Sequence, residues 1–323
     1  MRIRLILIAI VALALAPGTW VRVYPKLDDV RPILVATPRA AAGKIGENVD
    51  IEGLWKLTSP NMYFGSYSGL VALSPEELLA VGDSGGWLRF GVPGSGTAPV
   101  FGPLGRARMR DKRQVDAESV TWDPASGQVW VGYEITNSIE RSRLDFAAAK
   151  SARPEAMRRW PVTQGPETMT RLPDGRFIVI GEGSPDWFGK GLPGLLFAGD
   201  PVEGAKPERF GLLVPEGFRA TDIDALPDGR VLILMRRIES YFPPGFATRI
   251  VLADPARIVP GEPWQGQTIA TIGNDLPNDN FEGLAAVPKK DGSFVLWLIS
   301  DDNGAAMQDT LLYKLRWRPT QAG

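Results

Sequence analysis

The sequence contains neither cysteine nor histidine. Without cysteine, the chain has no disulfide, no thiolate nucleophile and no cysteine metal ligand. Without histidine, it has no Ser-His-Asp triad and no imidazole metal ligand, and it lacks the commonest general base. Any chemistry must therefore use carboxylates, lysine or arginine, hydroxyls, backbone groups, or a metal ion held by oxygen atoms.

The chain also lacks an excess of charge of either sign. Its 323 residues include 36 Lys and Arg against 37 Asp and Glu, which gives a formal net charge of -1. Nucleic-acid-binding domains typically carry a basic face, so the composition predicts no nucleic-acid partner. The basic cluster within residues 106–113 is local, and such charge runs are typical of solvated loops.

The first 23 residues have the pattern of a targeting segment. Positive charge in Met1-Arg2-Ile3-Arg4 precedes an uninterrupted apolar run from Leu5 to Ala16, which ends in small residues typical of a cleavage site. Pro17 is unfavourable for cleavage, so an uncleaved membrane anchor is the alternative to a signal peptide. We predict an exported protein, periplasmic or secreted, or anchored to the inner membrane by this segment alone.

The remaining chain predicts an all-β fold. Residues 24–46, rich in Pro and Ala from Pro25 to Ala42, are interpreted as a linker that is either a tether or a partly ordered lead-in, followed by one domain over residues 47–319. In this domain short β-rich runs alternate with clusters of Gly, Pro, Asp and Ser. The nearest helical candidate, Asp145 to Arg159, is interrupted by Pro154.

A repeated hairpin determines the predicted architecture. Its clearest copy is Pro166 to Glu182, in which Pro173-Asp174-Gly175 forms the turn between two strand-like runs. Five copies begin at positions spaced by 50, 49, 54 and 61 residues, namely Ser68, Glu118, Glu167, Thr221 and Glu282. A period near 50 residues with several short strands per unit is typical of a β-propeller, whose blades have four strands.

The strand count favours five blades. The fifth unit is one strand short, and Asp50 to Leu57 would complete it, so that the N- and C-terminal strands close the ring and leave no free sheet edge. A sixth, degenerate blade within residues 40–67 is the alternative. We expect the ten Trp residues to lie mainly in the core between blades, and the protein to be a monomer.

The ends of each hairpin carry the candidate site. An antiparallel hairpin brings the start of its first strand beside the end of its second. In the five copies these pairs are Ser68 with Asp83, Glu118 with Glu134, Glu167 with Glu182, Thr221 with Arg236, and Glu282 with Asp301. Equivalent hairpins would place all these groups at one rim of the ring.

An acidic rim is unfavourable unless a cation neutralises it. Ca²⁺ accepts six to eight oxygen ligands in loose geometry and needs neither His nor Cys. The predicted metal ligands are Glu118, Glu167, Glu282 and Asp301. The plainer interpretation, that acids at strand ends satisfy turn backbone groups, stays open. Asp222 is a weaker candidate, because its one-residue offset from Thr221 turns it to the other face.

The candidate catalytic residues come from the same positions. Glu118 and Glu167 are predicted to act as ligands or as a general base. Arg113 and Arg236 are predicted to stabilise developing negative charge, a role that suits guanidinium groups. Arg236 replaces the acid of the other copies, so it can instead pair with neighbouring carboxylates.

The chain resembles the exported bacterial family called "esterase-like activity of phytase" over about residues 48–317. The motifs that carry the resemblance are Asp116-Ala117-Glu118-Ser119-Val120, Leu172-Pro173-Asp174-Gly175-Arg176, Glu182-Gly183-Ser184, Leu226-Pro227-Asp228-Gly229-Arg230 with Arg236-Arg237, Asn280-Phe281-Glu282-Gly283-Leu284 and Ser300-Asp301-Asp302-Asn303. The resemblance implies a phytase-like propeller domain and cleavage of an ester or phosphoester. Unlike the calcium-dependent propeller phytases, this chain lacks dense Asp-rich motifs and the many Lys residues suited to a highly charged inositol phosphate.

The sequence therefore predicts an exported propeller hydrolase that acts on a small ester or phosphoester with a divalent cation at the channel mouth. A lactone is an alternative substrate at the same residues. The alternative of another class is a non-catalytic binding or scaffold propeller in the cell envelope, in which the cation is structural or absent.

Overall fold

A computed structural model describes residue 4 and residues 22–23, 26–105, 115–147, 149–183, 191–241, 243–273 and 275–320. Its strands form five sheets. The N-terminal strands are β1 (Val35–Pro38), β2 (Gly43–Gly46) and β3 (Val49–Thr58). Blade 1 contains β4 (Tyr67–Ser74), β5 (Glu77–Gly82), β6 (Gly86–Gly91) and β7 (Val100–Pro103). Blade 2 contains β8 (Ala117–Asp123), β9 (Gln128–Tyr133), β10 (Ser138–Arg143) and β11 (Lys150–Ala152).

The other three blades follow in chain order. Blade 3 contains β12 (Pro166–Arg171), β13 (Phe177–Gly181), β14 (Leu192–Phe197) and β15 (Pro207–Leu212). Blade 4 contains β16 (Arg219–Ala225), β17 (Val231–Tyr241), β18 (Pro244–Ala253) and β20 (Gln267–Ile272), and the short β19 (Pro263–Trp264) pairs in parallel with β15 of blade 3. Blade 5 contains β21 (Asn280–Pro288), β22 (Phe294–Asp301) and β23 (Leu311–Trp317). Short 3-10 helices lie at Glu155–Met157, Pro201–Glu203 and Pro255–Arg257.

The first strand of each blade lines the centre, where β4, β8, β12, β16 and β21 contact one another in a closed order. The N-terminal β3 pairs antiparallel with the C-terminal β23, from Leu311 opposite Lys56 to Trp317 opposite Val49. This pairing confirms the predicted five-bladed propeller and its closure. Residues 40–67 supply β2 and β3 of blade 5, so they do not form a sixth blade.

The predicted linker is partly folded into the propeller. Within residues 24–46, β1 and β2 both pair antiparallel with β3. The ordered sheet therefore begins before the predicted boundary at residue 47, because β3 offers backbone groups that these short strands cover. Most of residues 1–23 lies outside the described part of the chain. Within the described part, no helix has the length and apolarity required to cross a membrane.

The core consists of five apolar clusters, each between two neighbouring blades. Strand β13 shows why its sequence is apolar throughout: Phe177 and Val179 pack toward blade 2, while Ile178 and Ile180 pack toward blade 4. Alternate residues of one strand point to opposite faces, and both faces of a blade are buried. Every cluster contains at least one Trp, namely Trp317, Trp264, Trp297, Trp87, and Trp130 with Trp160. The Trp residues named here therefore serve the core between blades, as predicted.

The hairpin turn adopts the conformation that its sequence predicts. Gly175 has φ 91°, a conformation that glycine adopts without steric cost. Its N–H donates to the carbonyl of Leu172 at 2.9 Å, and Asp174 accepts from the backbone N–H of Arg176 at 3.0 Å. The same contacts recur at Asp228 and Arg230 in blade 4.

The side chain of Asp222 in blade 4 forms hydrogen bonds to blades 1 and 5 near the centre of the ring. Its Oδ2 accepts the backbone N–H of Leu70 in blade 1 at 3.2 Å and that of Leu284 in blade 5 at 2.7 Å. Its Oδ1 accepts from Ile223 at 2.8 Å. These contacts occupy both oxygens in the core, so Asp222 acts as a structural residue, which agrees with its low rank as a ligand.

We predict that Asp222→Ala lowers the free energy of unfolding by about 3 kcal/mol, because it removes the acceptor of three buried backbone N–H groups. The exposed Glu76→Ala serves as control, since substitutions at exposed positions usually change the free energy of unfolding by less than about 0.5 kcal/mol. Urea denaturation followed by tryptophan fluorescence measures both. Equal, small effects of the two substitutions would contradict the assignment.

Candidate functional site

Each central strand carries a β-bulge at the residue that opens its hairpin in the sequence. The pairing of the first two strands of each blade shifts register around Ser68, Glu118, Glu167, Thr221 and Glu282. A β-bulge places two residues of one strand opposite a single residue of the partner strand, and it changes the direction of the side chain at the bulge. The repeat recognised from the sequence is therefore also a repeat of backbone geometry.

The second strands end in equivalent positions. Tyr67 pairs with Gly82, Ala117 with Tyr133, Pro166 with Gly181, Ala220 with Met235, and Phe281 with Ser300. The residue that follows each second-strand partner is Asp83, Glu134, Glu182, Arg236 or Asp301. These five positions lie beside the five bulges, and we call the resulting carboxylates the acidic rim.

Blades 2 and 3 bring four carboxylates of the acidic rim into direct proximity, together with the adjacent Asp116. Oxygens of Asp116, Glu118 and Glu134 lie within 4.8 Å of one another, and so do oxygens of Glu134, Glu167 and Glu182. Glu134 belongs to both groups. No other group of three potential metal ligands lies this close in the described residues. Carboxylate oxygens are the donors that hard divalent cations prefer.

The protein environment opposes full ionisation of this acidic rim. Burial raises the pKa of Glu118 well above its ordinary value, and the charges of Glu167 and Glu282 raise it further. Burial also raises the pKa of Glu167 well above its ordinary value, and the charges of Glu182 and Glu134 act in the same direction. Burial and then the charge of Asp116 raise the pKa of Glu134 to about 7. The charged forms lose hydration here although Glu118, Glu134 and Glu167 keep partial contact with solvent.

The part of the rim on blades 4 and 5 contains a positively charged side chain, that of Arg236. An Nη of Arg236 donates to Glu282 at 3.0 Å. The amide of Asn280 donates to the same oxygen of Glu282 at 2.8 Å and to Asp301 at 3.3 Å. Burial raises the pKa of Glu282, although the charge of Arg236 acts against that rise.

Several polar atoms at the rim are buried and lack a hydrogen-bond partner within the described structure, among them Glu167 Oε1, Arg236 Nε and Asn280 Oδ1. Buried polar groups without partners are costly, and in folded proteins they usually have a partner such as an ion, a ligand or water. The oxygens of Glu167 and Asn280 are acceptors, and the Nε of Arg236 is a cationic donor. The rim is therefore equipped for a cation near Glu167 and for an anionic or hydroxylated group near Arg236.

The structure divides the predicted site residues into three sets. Glu118 and Glu167 lie in the two close carboxylate groups. Glu282 and Asp301 lie on the rim but belong to neither group, and Glu282 pairs with Arg236. Arg113 lies outside the described residues. The assigned roles of all of them stay predictions.

Three members of the close groups are not among the metal ligands predicted from the sequence. Glu134 and Glu182 belong to the hairpin ends predicted to form the acidic rim, and Asp116 belongs only to a family motif. The available signal was their position, because Asp116 lies two residues before Glu118 and the other two follow strand ends. Asn280 was also missed as a site residue, although it stands two residues before Glu282.

A pocket of about 590 Å³ opens beside the rim, and Arg236 and Asn280 reach it. The pocket includes Arg22, which lies near the end of the predicted targeting segment at residues 1–23. Arg22 forms a β-bridge with Ala305 and donates to the carbonyl of Asn303. The adjacent Val23 donates its backbone N–H to Gly304 at 2.7 Å. The N-terminal segment thus reaches the same face of the ring as the acidic rim.

Fold and site together define a five-bladed propeller with a carboxylate cluster at one mouth. The model of the phytase-like family, described as "Esterase-like activity of phytase", matches residues 62–304. The chain belongs to this family. No curated protein sequence matches the chain significantly.

Several solved structures are similar to the chain. One is the major allergen Mala s 1 of Malassezia sympodialis, with 15% identity, a TM-score of 0.45, and coverage of 88% of this chain and 96% of that chain. Another is a hypothetical protein from Leishmania major, with 10% identity, a TM-score of 0.44, and coverage of 97% and 94%. A third is the WD40 β-propeller domain of Doa1, with 10% identity, a TM-score of 0.40, and coverage of 85% and 98%. The fold assignment rests on the strand pairings of this chain.

We predict that, without divalent cations, the melting temperature falls as the pH rises from about 4 through 7. The unfolded-state pKa of Glu is about 4.3, whereas Glu134 titrates at about 7 in the folded state. The folded protein therefore binds more protons than the unfolded chain in this range, so its stability decreases with rising pH. Differential scanning calorimetry in EDTA and in Ca²⁺ measures the effect. Identical pH dependence in the two media would contradict a cation at the rim.

We predict that Glu134→Gln stabilises the metal-free protein by about 1 kcal/mol at pH 8, since it removes the charge shared by both carboxylate groups. At pH 5 the effect should vanish, because Glu134 is then protonated in the folded protein. The exposed Glu76→Gln is the matched control, and urea denaturation at both pH values measures the difference. Destabilisation by Glu134→Gln at pH 8 would show that repulsion is not the dominant interaction.

Proposed function

We propose that this protein hydrolyses a small ester or phosphoester with a divalent cation held at the acidic rim. The observation that carries the proposal is the pair of carboxylate groups that share Glu134. The buried Oε1 of Glu167, which has no partner in the described structure, supports it. Membership in the phytase-like family favours ester or phosphoester cleavage over other reactions.

The donor set suits Ca²⁺. Glu134 would hold the ion with Glu167 and Glu182, or with Asp116 and Glu118. These side chains offer only oxygen, and the chain has no His or Cys to favour a softer metal. Calcium tolerates irregular arrangements of carboxylates, which fits the group of Glu134, Glu167 and Glu182, whose members come from blades 2 and 3.

A bound divalent cation polarises a carbonyl or phosphoryl oxygen and lowers the pKa of bound water. The residues of the chain would contribute orientation and charge. Arg236 pairs with Glu282 through an Nη and has an Nε without a partner, so this Nε would stabilise the negative charge that develops on the reacting oxygen. Glu118 and Glu167 would serve as ligands or receive a proton from the attacking water.

Export is part of the proposal. The basic start, the apolar run from Leu5 to Ala16 and the small residues at its end support a periplasmic, secreted or membrane-anchored enzyme. Cell fractionation of the full chain, with and without residues 2–16, measures this. Retention of the full chain in the cytoplasm would contradict export.

We predict that p-nitrophenyl phosphate or p-nitrophenyl butyrate is turned over in the presence of Ca²⁺ and not in EDTA. Glu167→Gln should lower kcat/KM by at least about 100-fold, an effect typical of lost metal ligation or lost proton transfer. A lactone substrate tests the alternative ester class. The measurement is the initial rate at several Ca²⁺ concentrations, with Glu76→Gln as control.

Two results would separate the alternatives. A rise in melting temperature with Ca²⁺ but no turnover of any of these substrates would favour the non-catalytic binding propeller. Full activity in EDTA, with no change in melting temperature on adding Ca²⁺, would overturn the metal-dependent hydrolase.

A further inference from the structure

The pocket beside the acidic rim, which we call the mouth pocket, is built on a feature of blade 4. Strand β17 continues five residues beyond Arg236 to Tyr241, whereas β5, β9 and β13 end before the equivalent position. Tyr241 pairs with Pro244 at the start of β18. The β17–β18 hairpin therefore extends beyond the rim and forms a wall of the mouth pocket.

Apolar side chains of this wall, together with Met307 from the segment between β22 and β23, are exposed around one concave site. Tyr241 is 81% exposed, Met307 41% and Ile238 39%, and all three line the mouth pocket together with Pro244 and Phe246. Single exposed apolar residues are ordinary on protein surfaces. Several of them around one cavity are typical of a binding site for an apolar group.

The base of the same pocket is polar and incompletely satisfied. Arg236 Nε and Asn280 Oδ1 are buried and have no hydrogen-bond partner among the described atoms. Glu282 accepts a hydrogen bond from an Nη of Arg236 at 3.0 Å, so the Nε of Arg236 can donate to another acceptor. Arg22 adds a second guanidinium group to the lining. An anionic oxygen would pair with Arg236, and a hydroxyl would donate to Asn280.

We propose that the mouth pocket binds an amphiphilic anion, with its charged head at Arg236 and Asn280 and its apolar chain against Ile238, Tyr241 and Met307. The pocket volume of about 590 Å³ lies in the range that holds a drug-sized ligand. An apolar wall also disfavours a small molecule that carries many charges. The inference rests on the proposed hydrolase for the fate of the ligand, whereas binding itself does not require turnover.

Isothermal titration calorimetry of the full chain with inorganic phosphate, butyl phosphate and octyl phosphate, each below its micelle concentration, tests the proposal. We expect affinity to rise along this series, by up to about fourfold for each methylene that becomes buried. The double variant Ile238→Ser with Tyr241→Ser should lose the dependence on chain length and still bind inorganic phosphate. Val162→Ser with Val259→Ser, at exposed positions outside the pocket lining, is the matched control.

Arg236→Gln should weaken the binding of all three phosphates by a similar factor, because it removes the contact with the phosphate group. Circular dichroism and the melting temperature establish that each variant is folded. Equal affinity for butyl and octyl phosphate would overturn the proposal, and so would an unchanged dependence of affinity on chain length in the Ile238→Ser, Tyr241→Ser variant.

Co-sedimentation with vesicles containing phosphatidic acid distinguishes the source of the ligand. Binding to vesicles without binding of octyl phosphate would overturn a site for single molecules.

Turnover separates this inference from the proposed function. Chain-length-dependent binding without hydrolysis of octyl phosphate or p-nitrophenyl octanoate would retain the mouth pocket and refute the hydrolase. Hydrolysis of p-nitrophenyl butyrate and octanoate with equal KM would retain the hydrolase and refute the pocket. Support for both requires a lower KM for the longer ester, lost in the Ile238→Ser, Tyr241→Ser variant.

Discussion

Repulsion among carboxylates at one channel mouth is the constraint on which the site depends. Glu134 lies between two groups of acids whose oxygens are within 4.8 Å, and burial raises the cost of their charges. On a flexible protein surface, such side chains would move apart and become hydrated. Here the ring holds the backbones of β8, β9, β12 and β13 in place, so the stability of the fold compensates for the cost of the site.

Two features of the backbone enforce this arrangement. The pairing of β3 with β23 closes the ring, which fixes the distance between blades. The bulge at each central strand then directs one residue from every blade toward the mouth. Asp222 contributes in a different way, because its carboxylate accepts backbone N–H groups from blades 1 and 5. Asp222, one residue after the bulge position of blade 4, thus lies in the core, whereas Glu118 and Glu167, at the bulge positions of blades 2 and 3, lie at the rim.

Much of this architecture could be predicted because turns and strands leave local signals. The Pro173-Asp174-Gly175 turn, the spacing of the hairpins and the missing strand of blade 5 were enough to predict five blades and their closure. The grouping of Asp116 with Glu134, and of Glu134 with Glu182, could not be predicted, since it depends on the angle between neighbouring blades. The pairing of β1 and β2 with β3 was also missed, because short strands at a sheet edge carry little hydrophobic periodicity.

Blade 4 breaks the symmetry of the ring in two ways that belong together. It places Arg236 where the other blades place an acid, and its second strand continues to Tyr241. The arginine neutralises Glu282 and divides the rim into an anionic part on blades 2 and 3 and a mixed part on blades 4 and 5. The extended hairpin raises an apolar wall beside the mixed part alone. A symmetric ring of acids could only concentrate cations, whereas this asymmetry places a guanidinium group and an apolar surface next to the carboxylates. In the proposed hydrolase, that combination would orient the ester or phosphoester substrate.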